Sequence, residues 1–212
     1  MQGRKPKIAG DVADPRFQRS LDALIEAITT LAEAEPLPSI SITRLTDAAG
    51  VSRPTFYQHA KDVPDLARRA ALRRLRGALQ VPPDFTEMGK QSFEQVRQAI
   101  DERLVRILQH LAQNRKFYLN VLENGGSPDM YAQVVSMLTM HVNIDPFFKH
   151  MAPGMGAPGA LTEVIMGGLM WRVVGWMRSD AATLDPAAMG RETAVLSATL
   201  LCGLSALRTT AP

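Results

Sequence analysis

The chain has 212 residues, and its composition of 46% hydrophobic and 21% charged residues excludes an intrinsically disordered protein and predicts a substantial hydrophobic core. Its single cysteine, Cys202, excludes a disulfide framework within the chain and favours a reducing compartment, so we expect a cytoplasmic protein. Residues 1–80 carry 13 Lys and Arg against 9 Asp and Glu, whereas the remainder carries 11 against 12. This excess of positive charge would attract polyanions to the N-terminal part, although the net charge of solvated helix faces often differs by as much.

The first 13 residues are predicted to form a flexible basic arm. Arg4, Lys5 and Lys7 suit contacts with phosphates or a minor groove, and a disordered solubilising tail is an equally good interpretation. No apolar stretch follows these basic residues, so no signal peptide is expected. Asp14 and the proline after it then begin a helix, in which apolar residues recur at helical spacing up to Pro36.

Residues 42–61 are predicted to form two short helices joined by a tight turn. In the first helix, Thr43 can act as the N-cap and Leu45 lies on the apolar side. Gly50 stands where a helix end needs a residue that tolerates positive φ. Ser52 can then cap the second helix.

The second helix has an apolar side and a polar side. Phe56 and Ala60 face inward, and Pro54 occupies the first turn, where a missing N–H has no cost. The side chains left on the other surfaces are those of Arg53, Thr55, Tyr57, Gln58 and His59. A polar helix that follows a Gly-containing turn is the arrangement that places a recognition helix in the major groove of DNA.

The stretch from Thr43 to Leu66 resembles the DNA-binding domain of the tetracycline-repressor (TetR) family. The resemblance is carried by Asp-Ala-Ala-Gly-Val-Ser, then Thr-Phe-Tyr-Gln-His, then Lys-Asp and Asp-Leu, at consistent spacing. It implies an all-α fold, in which an N-terminal three-helix helix-turn-helix DNA-binding domain precedes a C-terminal helical ligand-binding and dimerisation domain. Ala60 replaces the usual Phe, and Val63 replaces a Lys that often contacts phosphate, so we expect a smaller core contact and one lost backbone contact.

Nine residues are expected to contact DNA. The recognition helix would meet bases and phosphates through Arg53, Pro54, Thr55, Tyr57 and His59, while Thr43, Arg44, Ser52 and Lys61 would position the domain on the backbone. Arg53 is the best candidate for reading guanine. The alternative interpretations are that Tyr57 is a half-buried packing residue, that His59 is a surface histidine without a role, and that Gln58 is simply solvated.

A fourth helix is predicted to be capped by Asp62, with Asp65 three residues on, and to end before Pro82 and Pro83. Its five arginines are most simply a solvated face and are not assigned to DNA: Arg68, Arg69, Arg73, Arg74 and Arg76. The two prolines mark the predicted domain boundary, which gives a DNA-binding domain over 14–82 and a helical domain over 83–212.

The second domain is predicted to be helical throughout. Apolar spacing indicates helices over 93–111, 117–123, 127–145, 160–178 and 186–207. The most apolar stretch, 159–177, is interrupted by Glu163 and Arg172, so no membrane span is predicted.

Eight of the eleven methionines fall between Met130 and Met177, among several aromatic residues. Methionine adapts to varied apolar partners, and the TetR resemblance implies a small-molecule site in this domain, so we expect a small, mainly apolar effector. The candidate lining residues are Phe117, Tyr118, Tyr131, Met137, His141, Met166, Met170, Trp171 and Arg172. His141 and Arg172 would orient the ligand, and plain core packing explains any single one of the nine equally well.

The last two predicted helices are rich in small residues. The TetR resemblance implies that they pair with their copies in a second subunit as a four-helix bundle, and the interface candidates are Gly168, Gly175, Leu196, Leu200, Leu204 and Leu207. A core within one chain is the alternative interpretation.

The sequence gives little support for catalysis, a metal or a cofactor. The four histidines form no i, i+4 pair, and no phosphate-binding glycine loop occurs. We therefore expect a non-enzymatic, ligand-responsive homodimeric regulator that represses through a palindromic DNA operator and is released by its effector. The alternative is a helical small-molecule-binding protein whose helix-turn-helix is structural and binds DNA poorly, which the loss of the phosphate-contacting Lys at Val63 would favour.

Overall fold

A computed structural model describes residues 14–79, 93–125, 129–144 and 159–196, and the regular structure in these ranges is helical. The helices are α1 (Pro15–Ala34), α2 (Ile42–Ala49), α3 (Arg53–His59), α4 (Val63–Leu79), α5 (Phe93–Gln113), α6 (Arg115–Asn124), α7 (Asp129–Ile144), α8 (Gly159–Arg178) and α9 (186–196). Short 3-10 turns follow α1 at Leu37–Ser39 and α8 at Ala181–Thr183. The predicted all-α fold class is confirmed.

Helix α1 is the support on which the N-terminal helices pack. The side chain of Asp14 accepts a hydrogen bond from the Arg16 amide at 2.9 Å, so the predicted N-cap is confirmed. The fully buried Leu24 and Ile28 lie on its inner face. Helix α1 contacts α2, α3, α4 and α6, and it therefore connects the helix-turn-helix to the helices that follow.

Helix α4 begins as predicted. The Asp65 amide donates to Oδ1 of Asp62 at 2.7 Å, which satisfies one of the free amides of the first turn. Leu66 and Ala70 are buried completely against the core, as the apolar spacing predicts.

The prediction of a solvated arginine face on α4 is partly wrong. It holds for the exposed Arg69, Arg73 and Arg76. Arg68, however, is only 12% exposed and donates to the Gly125 carbonyl oxygen at the end of α6. Arg74 donates to Asn114 and lies 5.3 Å above the centre of the Phe117 ring. These two side chains are covered because α6 packs on α4, a long-range contact that helical periodicity does not reveal.

Helix α6 joins the N-terminal helices to the later ones. At one end, Arg115 donates to the carbonyl oxygens of Met177 and, at 2.7 Å, of Ser179, at the C-terminal end of α8. In its middle, the side-chain amide of Asn120 binds the backbone at the end of α1. Buried residues from both halves of the chain form one continuous hydrophobic cluster, in which Phe56 and Phe117 are among the largest fully buried side chains.

Membrane-spanning helices and metal-ligand clusters are both absent from the described ranges. No helix in these ranges is long and apolar enough to cross a membrane. No group of three or more His, Cys, Asp or Glu side chains in the same ranges could hold a metal ion. The predicted arm (1–13) and the predicted boundary near residue 82 lie outside the described residues.

Candidate nucleic-acid interface

Helix α2 and the turn after it form the first half of the helix-turn-helix. Ser41 caps the helix, because its Oγ accepts a hydrogen bond from the Arg44 amide at 3.2 Å, while the exposed Thr43 lies in the first turn. The prediction of Thr43 as the cap is therefore wrong by two residues; it is Ser41 that has the extended backbone of a cap. Gly50 ends the helix with a φ of 63°, which confirms the predicted left-handed position.

Helix α3 is fixed at its start and along its inner side. Ser52 caps it by accepting a hydrogen bond from the Thr55 amide at 3.2 Å, and Pro54 lies in the first turn, both as predicted. Phe56 is fully buried and Ala60 nearly so. The short helix is thus held rigidly against the core, which fixes the direction of its outer side chains.

The outer side of α3 is polar and exposed. Arg53, Pro54, Tyr57 and Gln58 are all exposed, and Tyr57 shows 54% of its surface. Among the described residues, the Arg53 guanidinium has no hydrogen bond or ion pair of its own. The hydroxyl of the half-buried Thr55 lies 2.8 Å from that of Ser52. The arrangement presents a guanidinium, a phenol and an amide from one rigid face.

Gln58 is the residue of this face that sequence reasoning left out as merely solvated. Its amide offers two donors and an acceptor beside Tyr57, which suits the edge of adenine. Its position next to Tyr57, on the polar side of the predicted helix, is the sequence signal that could have marked it as a candidate for DNA contact.

Two cations flank the recognition helix. Lys61, just after α3, is exposed, and its backbone amide donates to Oδ2 of Asp65 at 3.2 Å. Arg44, in the first turn of α2, is 55% exposed, and its guanidinium forms an ion pair with Glu35 at 2.7 Å. Both cations lie on the surface as predicted, but Arg44 already has an anionic partner.

The expectation that His59 lies on the outer surface is wrong. Its side chain is buried, with only 3% of the residue exposed, and its ring packs on Phe17 of α1 with 4.1 Å between ring centres. Its Nε2 lies 2.8 Å from the Ser20 hydroxyl, while Nδ1 is buried without a partner. Burial, with a smaller contribution from nearby Arg69, lowers the pKa of His59. The residue fastens α3 to α1.

Most of the apolar candidate effector residues lie in or against the common core. Phe117, Tyr118, Met137 and Met170 are buried in the common core, and Tyr131 is half-buried against it. Met166 is also half-buried. None of the nine candidates lines the cleft of about 640 Å³ that opens between α1 and α4. The effector site remains a prediction.

That cleft is polar. It is lined by Asp22, Ile25, Glu26, Thr29, Thr30, Glu33, Arg73, Arg74 and Asn114. Arg73 binds Asp22 at 2.5 Å across it, and this contact, with a further one from Gln18, lowers the pKa of the Asp22 carboxyl. An open, ionised cleft of this kind does not fit the predicted apolar effector.

Three polar or aromatic effector candidates, by contrast, are not buried in the common core. Trp171 is 68% exposed on the outer side of α8, so no described residue encloses it, and its contact with an effector stays a prediction. Arg172 forms an ion pair with Glu192 of α9 at the surface, and its role in orienting an effector stays a prediction. His141 of α7 contacts the guanidinium of Arg103, which also donates to the Leu79 carbonyl oxygen at 3.2 Å.

The outer side of α8 is apolar. Val164, Gly168, Trp171 and Gly175 recur at helical spacing and are all exposed. A Cβ atom added to Gly168 or Gly175 would meet no atom within 4 Å, so these glycines serve no close contact among the described residues. Leu196, at the described end of α9, is 40% exposed. The other interface candidates, Leu200, Leu204 and Leu207, lie outside the described residues.

Comparison with solved structures identifies the fold. The dihydroxyacetone kinase operon activator DhaS aligns with a TM-score of 0.56 and 11% identity, over 86% of this chain and 96% of that chain. A protein described as a TetR-family transcriptional regulator, from Mesorhizobium loti MAFF303099, aligns with a TM-score of 0.54 and 16% identity, over 89% and 98%. The fatty acid degradation regulator FadR from Bacillus halodurans aligns with a TM-score of 0.51 and 15% identity, over 91% of this chain and 97% of that chain.

These similarities extend over most of each chain at low sequence identity. The chain therefore shares the all-helical fold of these three proteins, with an N-terminal helix-turn-helix and a helical C-terminal part. Neither the family models nor the curated proteins include a match to this sequence.

Proposed function

We propose that this protein is a homodimeric, DNA-binding transcriptional regulator that responds to a small molecule and is not an enzyme. The observation that carries the proposal is the outer side of α3, where Arg53, Tyr57 and Gln58 are exposed on a helix fixed by its cap and by buried Phe56. Unpartnered donors on a rigid helix are what direct readout in a major groove requires. The regulators of the same fold support this direction.

In the proposed complex, base contacts and backbone contacts come from different residues. Arg53 reads guanine through its planar guanidinium, with Tyr57 and Gln58 beside it. Thr43, Arg44, Ser52, Thr55 and Lys61 contact the phosphates around the recognition helix. His59 is removed from the predicted contact set because its ring is buried against α1.

The dimer is proposed to form through the outer side of α8 with α9. An exposed tryptophan between two exposed glycines is costly to leave in water, and the glycines allow a second helix to approach closely. Two copies related by a two-fold axis would require a palindromic operator.

The effector is proposed to be small and mainly apolar, and its binding to favour a form that does not bind DNA. To shift the ratio of the DNA-binding form to the other form from 99:1 to 1:99, the effector would need to bind the other form roughly 10⁴-fold more tightly. We propose repression as the output, and a reporter gene placed behind the operator tests it. DhaS, of the same fold, is an operon activator, so higher expression with the regulator present would overturn repression alone.

A second candidate function is a helical small-molecule-binding protein with a structural helix-turn-helix. It is favoured by Val63, which is buried at the start of α4 where the resembled family often has a phosphate-contacting Lys.

Selection of bound sequences from a random duplex library separates the two candidates. A regulator should enrich a palindrome whose half-sites carry a guanine that depends on Arg53. Recovery of no shared sequence would favour the structural helix-turn-helix.

A further inference from the structure

Arg44 is engaged within the protein before any DNA is bound. Its Nη1 lies 2.7 Å from both carboxylate oxygens of Glu35. The Glu35 side chain is only 21% exposed, and its buried Oε1 is paired with Arg44 by charge, without a well-aligned hydrogen bond. If Arg44 left, this buried anionic oxygen would lose its cation. Glu35 therefore holds Arg44 against a competing anion.

The backbone that carries Glu35 is fixed from α6. The Nδ2 atom of Asn120 donates to the carbonyl oxygens of Ala32 at 2.8 Å and Glu35 at 2.7 Å. Its Oδ1 accepts a hydrogen bond from the Leu37 amide at 3.0 Å. The Ser39 hydroxyl also donates to Oε2 of Glu35 at 3.2 Å. The corner after α1 is thus tied to the C-terminal half of the chain, and the carboxylate has a set direction.

We propose that Glu35 competes with DNA phosphate for Arg44 and that Asn120 is the positioning residue that keeps Glu35 in place. This inference rests on the proposed DNA-binding function. A phosphate that binds Arg44 replaces the existing ion pair with a new one. Arg44 therefore adds less to the DNA affinity of the wild-type protein than its exposure suggests. Because α6 also binds α4 and α8, a displacement of α6 would change the availability of Arg44.

The first test is the isosteric variant Glu35→Gln, measured by fluorescence anisotropy with a labelled duplex over a series of salt concentrations. Freeing Arg44 should tighten binding by about two- to fivefold at low salt, the range expected for one exposed ion pair. The slope of log affinity against log salt should steepen by up to about 0.9, which corresponds to one more phosphate contact.

Two further variants make this result specific. Glu33→Gln removes the same charge from α1, where Glu33 lies 3.6 Å from Arg74 rather than near Arg44, and it controls for net charge. In an Arg44→Gln background, Glu35→Gln should have no effect on binding. Equal tightening by Glu33→Gln, or weaker binding by Glu35→Gln, would overturn the competition.

The role of Asn120 is tested with Asn120→Ala, which removes both amide donors without adding a charge. It should tighten DNA binding in the same direction as Glu35→Gln but by less, and only when Arg44 is present. If the variant has the same effect in the Arg44→Gln background, Asn120 does not act through Arg44 and its role is only to stabilise the fold.

A measurement without DNA separates this inference from the proposed function. In the ¹⁵N-labelled protein, the Arg44 Nε–Hε signal should move in Glu35→Gln and Asn120→Ala, and stay in place in Glu33→Gln. If the signal moves but the wild type binds no duplex, the proposed function fails and the competition with phosphate fails with it. The positioning of Arg44 by Glu35 and Asn120 in the free protein would still be correct. If DNA binds but the signal does not respond, only this inference fails.

Discussion

The outer sides of α3 and α8 are both exposed on one protomer, but their chemistry is opposite. Helix α3 presents Arg53, Tyr57 and Gln58 from a short helix with a side-chain cap. Helix α8 presents Val164 and Trp171, with glycines around them. A polar, hydrogen-bonding face suits a polyanion, whereas an apolar face with room for close approach suits a protein helix. In the proposed function, recognition of DNA by α3 is therefore separate from association of copies through α8.

The largest expected effect comes from placing a charge on the apolar face with Trp171→Asp. A charge buried without a partner in an interface costs roughly 3–5 kcal/mol, so the dimer should dissociate at least about 100-fold more readily. Sedimentation equilibrium measures this change.

The matched control is Met140→Asp, which places the same charge at an exposed apolar side chain of α7. A folded Trp171→Asp protein that stays as dimeric as this control would remove α8 from the interface.

On the polar face, Arg53→Ala should cost about 1–3 kcal/mol of operator affinity and relax base preference at one position, if the guanidinium binds guanine with two hydrogen bonds. Lys61→Ala, in contrast, should weaken all duplexes similarly. Competition between the operator and its single-base variants measures the difference. Selectivity that is unchanged by Arg53→Ala would exclude direct readout by this residue.

Helix caps allow a closer comparison of the two regions. Ser52 caps α3, and Asp185 accepts hydrogen bonds from the Ala187 and Ala188 amides at the start of α9. Ser52→Ala and Asp185→Ala should each lower the free energy of unfolding by roughly 0.5–2 kcal/mol in denaturant titrations. Only Ser52→Ala should also lower the affinity of the dimer for DNA. Equal losses of DNA affinity would mean that both caps act through stability alone.

The smallest expected effect is on the pH dependence of stability. Burial lowers the pKa of His59 in the folded protein below its ordinary value of 6.5, so the unfolded chain binds a proton first as the pH falls. Stability should therefore be insensitive to this group above about pH 7, and decline as the pH falls below 6.5 toward the folded pKa. His59→Gln should reduce that decline in urea titrations at several pH values; an unchanged pH profile would contradict it.

The sequence predicts the helix-turn-helix well because its signals are local. Gly50, Ser52 and Pro54 each act within one turn of their own position, so the turn and the start of α3 follow from neighbouring residues alone. The N-cap of α2 was misplaced because Ser41 and Thr43 have equivalent chemistry, and only the backbone distinguishes them.

Residues whose role depends on distant packing could not be assigned in this way. His59 is buried because Phe17 and Ser20 of α1 cover it, and Arg68 is covered by the end of α6. Helix α8 has apolar residues on most of its sides, so its spacing does not tell the inner side from the outer, and the exposure of Trp171 does not follow from the sequence. Periodicity fixes which residues share a face but not what that face meets.

The proposed function is tested most directly by the salt dependence of binding to the selected palindrome and to a scrambled duplex of equal length. We expect a steep loss of affinity with salt for both duplexes and a preference for the palindrome of roughly 10³-fold or more. Weak binding that does not distinguish the two duplexes would contradict it, and the helix-turn-helix would then be a scaffold.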